Sequence, residues 1–282
     1  MRLVKWVGVM GLAVGLASVG ACRSEVSVFG TPRGGPPTST VLNNPADSAI
    51  DKVDLLFVID NSRSMADKQE VLQSAVPDLL KRLVNPSCVD GNGVASAEQP
   101  AGPALPCPTT GTRREFPPLT DMHIGVLTSS IGGHGATGVC EPEPSVPGTE
   151  MANDKAHLID RADPDDLSKK VPTWDGKGFL VWDPSDAAPT HTPQGDTVAD
   201  TLIDKLESIV SGSGERGCGY EAQLEAWYRF LVEPAPYESL EVQASKTIAV
   251  GTDQVLLQQR ADFLRPDSLL VIVMLTDEND CS

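Results

Sequence analysis

Val53-Asp54-Leu55-Leu56-Phe57-Val58-Ile59-Asp60-Asn61-Ser62-Arg63-Ser64-Met65 decides how this chain is read. Val53 to Ile59 is mostly β-branched, aromatic or leucine and nearly unbroken by charge. That suits a strand buried on both faces of a parallel sheet. Ligand sites in such sheets lie just beyond the carboxyl ends of the strands. Asp60, Ser62 and Ser64 fall there. They offer one carboxylate and two hydroxyls, the oxygen donors that a hard cation such as Mg2+ takes.

Near the other end, Ser268-Leu269-Leu270-Val271-Ile272-Val273-Met274-Leu275-Thr276-Asp277-Glu278 is a second buried-strand pattern that ends in an acid. Between the two, further strands are expected at Met122–Thr128, at Phe179–Trp182 and at Thr247–Val250. Helices are expected at Ser64–Val84, Thr197–Val210, Cys218–Leu231 and Asp253–Phe263. In the first, Val71, Leu72, Ala75, Val76, Leu79, Leu80 and Leu83 share one side at three-to-four spacing, and Pro77 implies a kink or a late start. Trp227 and Tyr228 are read as core packing. Strands alternating with helices make the class α/β with a largely parallel sheet. Asn85–Pro118 is a Pro- and Gly-dense loop, and about 131–195 is a long loop-rich insertion. Within it, Asp160–Asp166 lacks the alternation and central glycine of a calcium loop, so Asp163, Asp165 and Asp166 read as a solvated face.

The 282 residues suffice for one sizeable domain, and 22 Lys+Arg against 39 Asp+Glu give a formal net charge of -17. An acidic balance of that size argues against a nucleic-acid partner, which needs a basic surface. Residues 1–22 read as a targeting segment: Arg2 and Lys5, then an uncharged apolar run from Trp6 to Ala21. The run is short for a membrane span. Its end, Val19-Gly20-Ala21-Cys22, is similar to the bacterial lipobox, which implies lipidation at Cys22; an ordinary secretory signal with an incidental cysteine is the other reading. By analogy with lipoprotein sorting, Ser24 rather than Asp at this position implies the outer membrane if the cell is Gram-negative. Residues 23–50, rich in Pro, Gly, Ser and Thr, form a flexible linker to a domain at 51–282.

Asp60-Asn61-Ser62-Arg63-Ser64 resembles the metal-ion-dependent adhesion site (MIDAS) of von Willebrand factor type A (vWA) domains, Asp-x-Ser-x-Ser. The resemblance covers roughly residues 51–282 and implies a Rossmann-like fold with a mostly parallel central sheet flanked by helices. It also implies Asp277 as the distal metal-site aspartate. The metal set is then Asp60, Ser62, Ser64 and Asp277 around Mg2+, Mn2+ or Ca2+, with a partner protein's carboxylate completing the shell. Two strands ending in solvated acids is the competing reading. The family's further threonine ligand falls on Cys218, a poor ligand for a hard cation once oxidised; Glu221, in the expected first turn of a helix, is a substitute candidate. The family fold ordinarily continues after the distal aspartate, whereas this chain stops at Ser282, which suggests truncation. Gly217-Cys218-Gly219-Tyr220-Glu221 and the final Leu275–Ser282 are similar to vWA lipoproteins of myxobacteria.

Five cysteines follow Cys22, without Cys-x-x-Cys spacing, so disulfides are expected rather than zinc. Cys88 and Cys107 bracket a loop and form the first candidate pair; Cys218 and Cys281, both near the expected metal face, form the second. His123, His134, His157 and His191 have no metal spacing. The leading expectation is a binding protein, not an enzyme. Its alternatives are a metal-independent structural lipoprotein and a Mg2+-dependent phosphoryl hydrolase. Against the last, Ser62 stands where the usual phosphatase pattern has a second aspartate.

Overall fold

The computed structural model describes residues 50–136, 140, 153–185, 187–218, 220–244, 246–278 and 280. The targeting segment with Cys22, nearly all of the linker, and Cys281 lie outside them.

Four strands form the central sheet in the order β5-β4-β1-β8: β1 is Lys52–Ile59, β4 Asp121–Thr128, β5 Leu180–Trp182 and β8 Leu269–Leu275. β1 runs parallel to both β4 and β8, and only β5 is antiparallel. The molecule is therefore α/β with a mostly parallel sheet flanked by helices.

Alternation along β1 sorts the core into two layers. Val53, Leu55, Phe57 and Ile59 face one side, where Val76, Leu80 and Val84 of α1 (Ala66–Val84) and Leu202, Leu206, Ile209 and Val210 of α2 (Ala199–Ser213) cover them. Leu56 and Val58 face the other, under Ala226 and Phe230 of α3 (Gln223–Leu231) and Leu256 and Phe263 of α4 (Gln254–Phe263). Asp253 caps the start of α4, its carboxylate accepting the Leu256 amide hydrogen at 3.0 Å.

Several local expectations change. α1 starts well before Pro77 and continues past it, so the helix has no late start. Val71 and Leu79, assigned to its apolar side by spacing, are exposed. α3 starts at Gln223, leaving Cys218 and Glu221 in the preceding loop rather than in the helix. Trp227 packs against the second core layer as expected, but Tyr228 is exposed, because the turn of α3 that faces the sheet carries Ala226 and Phe230 instead. The expected strand at Thr247–Val250 exists as β7 (Lys246–Val250). It pairs antiparallel with β6 (Ser239–Gln243) in a separate hairpin and does not join the sheet. β8 reads as fully buried, yet Leu270, Ile272 and Met274 are exposed: it is the sheet's edge, and only Val271 and Val273 pack, on the α1–α2 side.

The loop at Asn85–Pro118 holds the short antiparallel pair β2 (Cys88–Val89) and β3 (Arg113–Arg114). The disulfide Cys88–Cys107 closes it, as anticipated. The second expected pair is corrected: Cys218 bonds to Cys140, not Cys281. The described part of the insertion is not merely loop. Leu158, Ile159, Val171 and Phe179 enter the core, and buried Arg161 donates to the Asp154 carboxylate and to the Gly212 carbonyl at the end of α2.

Candidate functional site

Register brings the site together. Ile59 lies opposite Thr128 on one side and Leu275 on the other, so β1, β4 and β8 end level. The ladder then runs one step further: Asp60 N–H donates to the Leu275 carbonyl (2.9 Å) and Ser129 N–H to the Ile59 carbonyl (3.0 Å). Asp60, Ser129 and Thr276 thus form a row just past the carboxyl ends of three parallel strands, the position that such sheets give to ligands.

Asp60 is fully buried and its oxygens are satisfied by the loops around it. Oδ1 accepts from Ser62 N–H (2.9 Å) and from the Ser129 hydroxyl (3.3 Å); Oδ2 accepts from the Thr276 hydroxyl (2.8 Å). The Ser62 bond is a side-chain turn of the kind aspartate favours, and it bends the chain sharply after β1. A single helical turn at Arg63–Met65 follows, pinned by buried Met65 and closed by Met65 N–H to the Ser62 carbonyl (3.1 Å). That turn folds Ser64 back over Ser62, with hydroxyls 3.0 Å apart, and the Ser64 hydroxyl donates to Asp277 Oδ1 (3.1 Å). All four residues read from the sequence as a metal set therefore lie in one continuous hydrogen-bonded cluster.

The floor is rigid. Asn61 Nδ2 donates to the Ser213 carbonyl (3.3 Å), its Oδ1 accepts from the Ser130 hydroxyl (2.8 Å), and Gly217 N–H donates to the Asn61 carbonyl (2.7 Å). Gln69 ties the Asp60 carbonyl (3.2 Å) to that of Gly214 (2.6 Å).

Electrostatically the cluster is negative. Burial pushes the Glu221 carboxyl up, and the charges of Asp60, Glu278 and Asp277 push it further. Glu221 therefore senses the site although it precedes α3. The Lys68 ammonium holds the Asp277 carboxyl down, with the Ser64 hydroxyl helping against the effect of burial. Lys68 Nζ lies 3.0 Å from Asp277 Oδ2 and donates to the Ser64 carbonyl at 3.0 Å. Buried Cys218 adjoins this floor, its N–H donating to Ser130 Oγ (2.8 Å) and its sulfur bonded to Cys140.

Among the described residues, no group of three or more His, Cys, Asp and Glu side chains is placed to hold a metal ion. The donor set here mixes two carboxylates with serine and threonine hydroxyls, and its all-oxygen chemistry fits Mg2+, Mn2+ or Ca2+ rather than zinc. Thr276, Ser129 and Lys68 join the site through the tertiary structure. The strand-end rule that found Asp60 also marks Thr276 and Ser129, and Lys68 lies one helical turn after Ser64. His123 is on β4 near its start, away from the strand ends that carry the site, and His157 pairs with Asp253 at 2.7 Å.

No family model, no curated protein and no solved structure matches this chain. Fold and site together define an α/β protein with an oxygen-rich cluster at the carboxyl ends of its parallel strands.

Proposed function

We propose that this is a cell-envelope lipoprotein whose domain is of the von Willebrand factor type A kind and binds a partner protein through a divalent cation, Mg2+ first, Mn2+ or Ca2+ next. The observation that carries the reading is the cluster of Asp60, Ser62, Ser64 and Asp277 beyond adjoining parallel strands, linked by the Ser62–Ser64 and Ser64–Asp277 hydrogen bonds. These four residues would hold the cation. When bound, it supplies a Lewis-acidic position that a carboxylate of the partner completes. Thr276 and Ser129 orient the Asp60 carboxylate from behind. Anchoring would come from lipid on Cys22, placing the domain at the outer membrane.

Calorimetric titration of the chain with Mg2+ and Mn2+, beside Asp60→Ala and Ser62→Ala/Ser64→Ala variants, tests the site. Saturable binding lost in both variants is the expected result; no binding in a folded wild-type sample overturns the mechanism. The metal-independent alternative draws support from the Lys68 ammonium on Asp277 and from Cys218 in a disulfide at the family's threonine position. Partner binding indifferent to chelator would favour it. A hydrolase has weaker support, since Asp60 is surrounded by hydroxyl donors rather than by a second carboxylate two residues on.

A further inference from the structure

Lys68 is a cation that the fold itself brings to the cluster. It lies one helical turn after Ser64, so its ammonium reaches back to the Ser64 carbonyl (3.0 Å) and across to Asp277 Oδ2 (3.0 Å). The other oxygen of Asp277 accepts from the Ser64 hydroxyl. Lys68 thus contacts two of the four residues assigned to the divalent cation. It also touches Asp67 Oδ1 at 3.0 Å, and Asp67 is largely exposed. The ammonium stands between an inner carboxylate, Asp277, at the site and an outer one, Asp67, in solvent.

From this geometry we infer that Lys68 is a tethered counter-cation that competes with the divalent ion and sets the affinity of the site; the inference rests on the metal-binding reading above. A second cation on Asp277 meets the ammonium at short range, where like charges repel strongly. Occupancy therefore requires Lys68 to leave Asp277, and its bond to Asp67 gives it a place to go without crossing the protein. With the ion absent, Lys68 neutralises part of the negative cluster made by Asp60, Asp277, Glu221 and Glu278. The device favours divalent over monovalent ions, because only the higher charge gains enough on the carboxylates to displace a tethered ammonium.

The test is Mg2+ calorimetry on the full chain as wild type, Lys68→Met and Lys68→Arg, each paired with thermal unfolding in chelator and in Mg2+. Lys68→Met should bind Mg2+ about tenfold more tightly at low ionic strength, and the gain should shrink at high salt. Lys68→Arg, which keeps the charge, should stay near wild type. In chelator Lys68→Met should melt lower than wild type, and Mg2+ should raise its melting temperature by more. Equal Mg2+ affinity in wild type and Lys68→Met overturns the role of Lys68 while leaving the metal site standing. Weaker binding in Lys68→Met also overturns it, by making Lys68 a support of Asp277 and Ser64. Absence of Mg2+ binding in every folded variant overturns the metal-binding reading and this inference together.

Discussion

His123 Nε2 and His191 Nε2 lie 2.9 Å apart, joining β4 to the long insertion. His123 Nδ1 is 2.7 Å from the Phe263 carbonyl, which only accepts, so Nδ1 carries the hydrogen and Nε2 presents its lone pair. His191 then donates from Nε2 and accepts at Nδ1 from the Thr190 hydroxyl (2.9 Å). Each ring nitrogen in the relay then has one role, donor or acceptor. Rings of Phe179, Trp174 and Phe263 surround His123.

This relay makes stability depend on pH. Burial lowers the His123 pKa from 6.5 to about 4, and the nearby Arg265 charge adds to the effect. The unfolded chain therefore binds a proton at a higher pH than the folded one. The stabilisation is present above the unfolded value near 6.5 and is lost as pH falls from there toward 4. Urea unfolding of wild type between pH 7.5 and 4.5 should show a loss on the order of 2 kcal/mol that a His123→Gln variant lacks. Parallel pH profiles for the two proteins would refute the assignment.

Thr276 supports Asp60 directly. Thr276→Val removes the 2.8 Å hydroxyl bond to Oδ2 and leaves a buried carboxylate oxygen short of a donor. The expected cost is about 1–3 kcal/mol in chemical denaturation. Thr276→Ser, which keeps the hydroxyl, should recover most of it.

Gly217 passes so close to the floor of the site that a Cβ there would come within 2.2 Å of Asn61 Oδ1 and 2.5 Å of Ser130 Oγ. Both atoms are buried and hydrogen-bonded to each other. Gly217→Ala should cost about 1–3 kcal/mol, whereas Gly91→Ala, with open space around it, should be near neutral. Comparing the two urea midpoints checks this.

Disulfide connectivity gives a direct chemical check. Non-reducing peptide mapping should return Cys88 linked to Cys107 and Cys140 linked to Cys218. A Cys218→Ser variant should lose about 2–4 kcal/mol, because the bridge spans 78 residues and restrains the unfolded chain. A peptide joining Cys218 to Cys281 would contradict the fold beside the floor of the site.

Much of this protein was legible in its sequence because the signals are local. Apolar runs ending in Asp60 and just before Asp277 mark β1 and β8, and three-to-four spacing marks the helices with boundaries a few residues off. The Asp-x-Ser-x-Ser run places three donors at a strand end by spacing alone. What sequence could not supply depends on residues far apart in the chain. Periodicity finds an apolar strand but not its neighbours, so it missed that β8 is an edge with Leu270, Ile272 and Met274 exposed, and that β7 pairs only with β6. Cysteine spacing carries no connectivity, so the Cys140–Cys218 bond emerged only from packing. Histidines without ligand spacing gave no hint that His123 and His191 meet. Only register could put Asp60, Ser129 and Thr276 in one row, because hydrogen-bonded pairing of three parallel strands fixes where all three end.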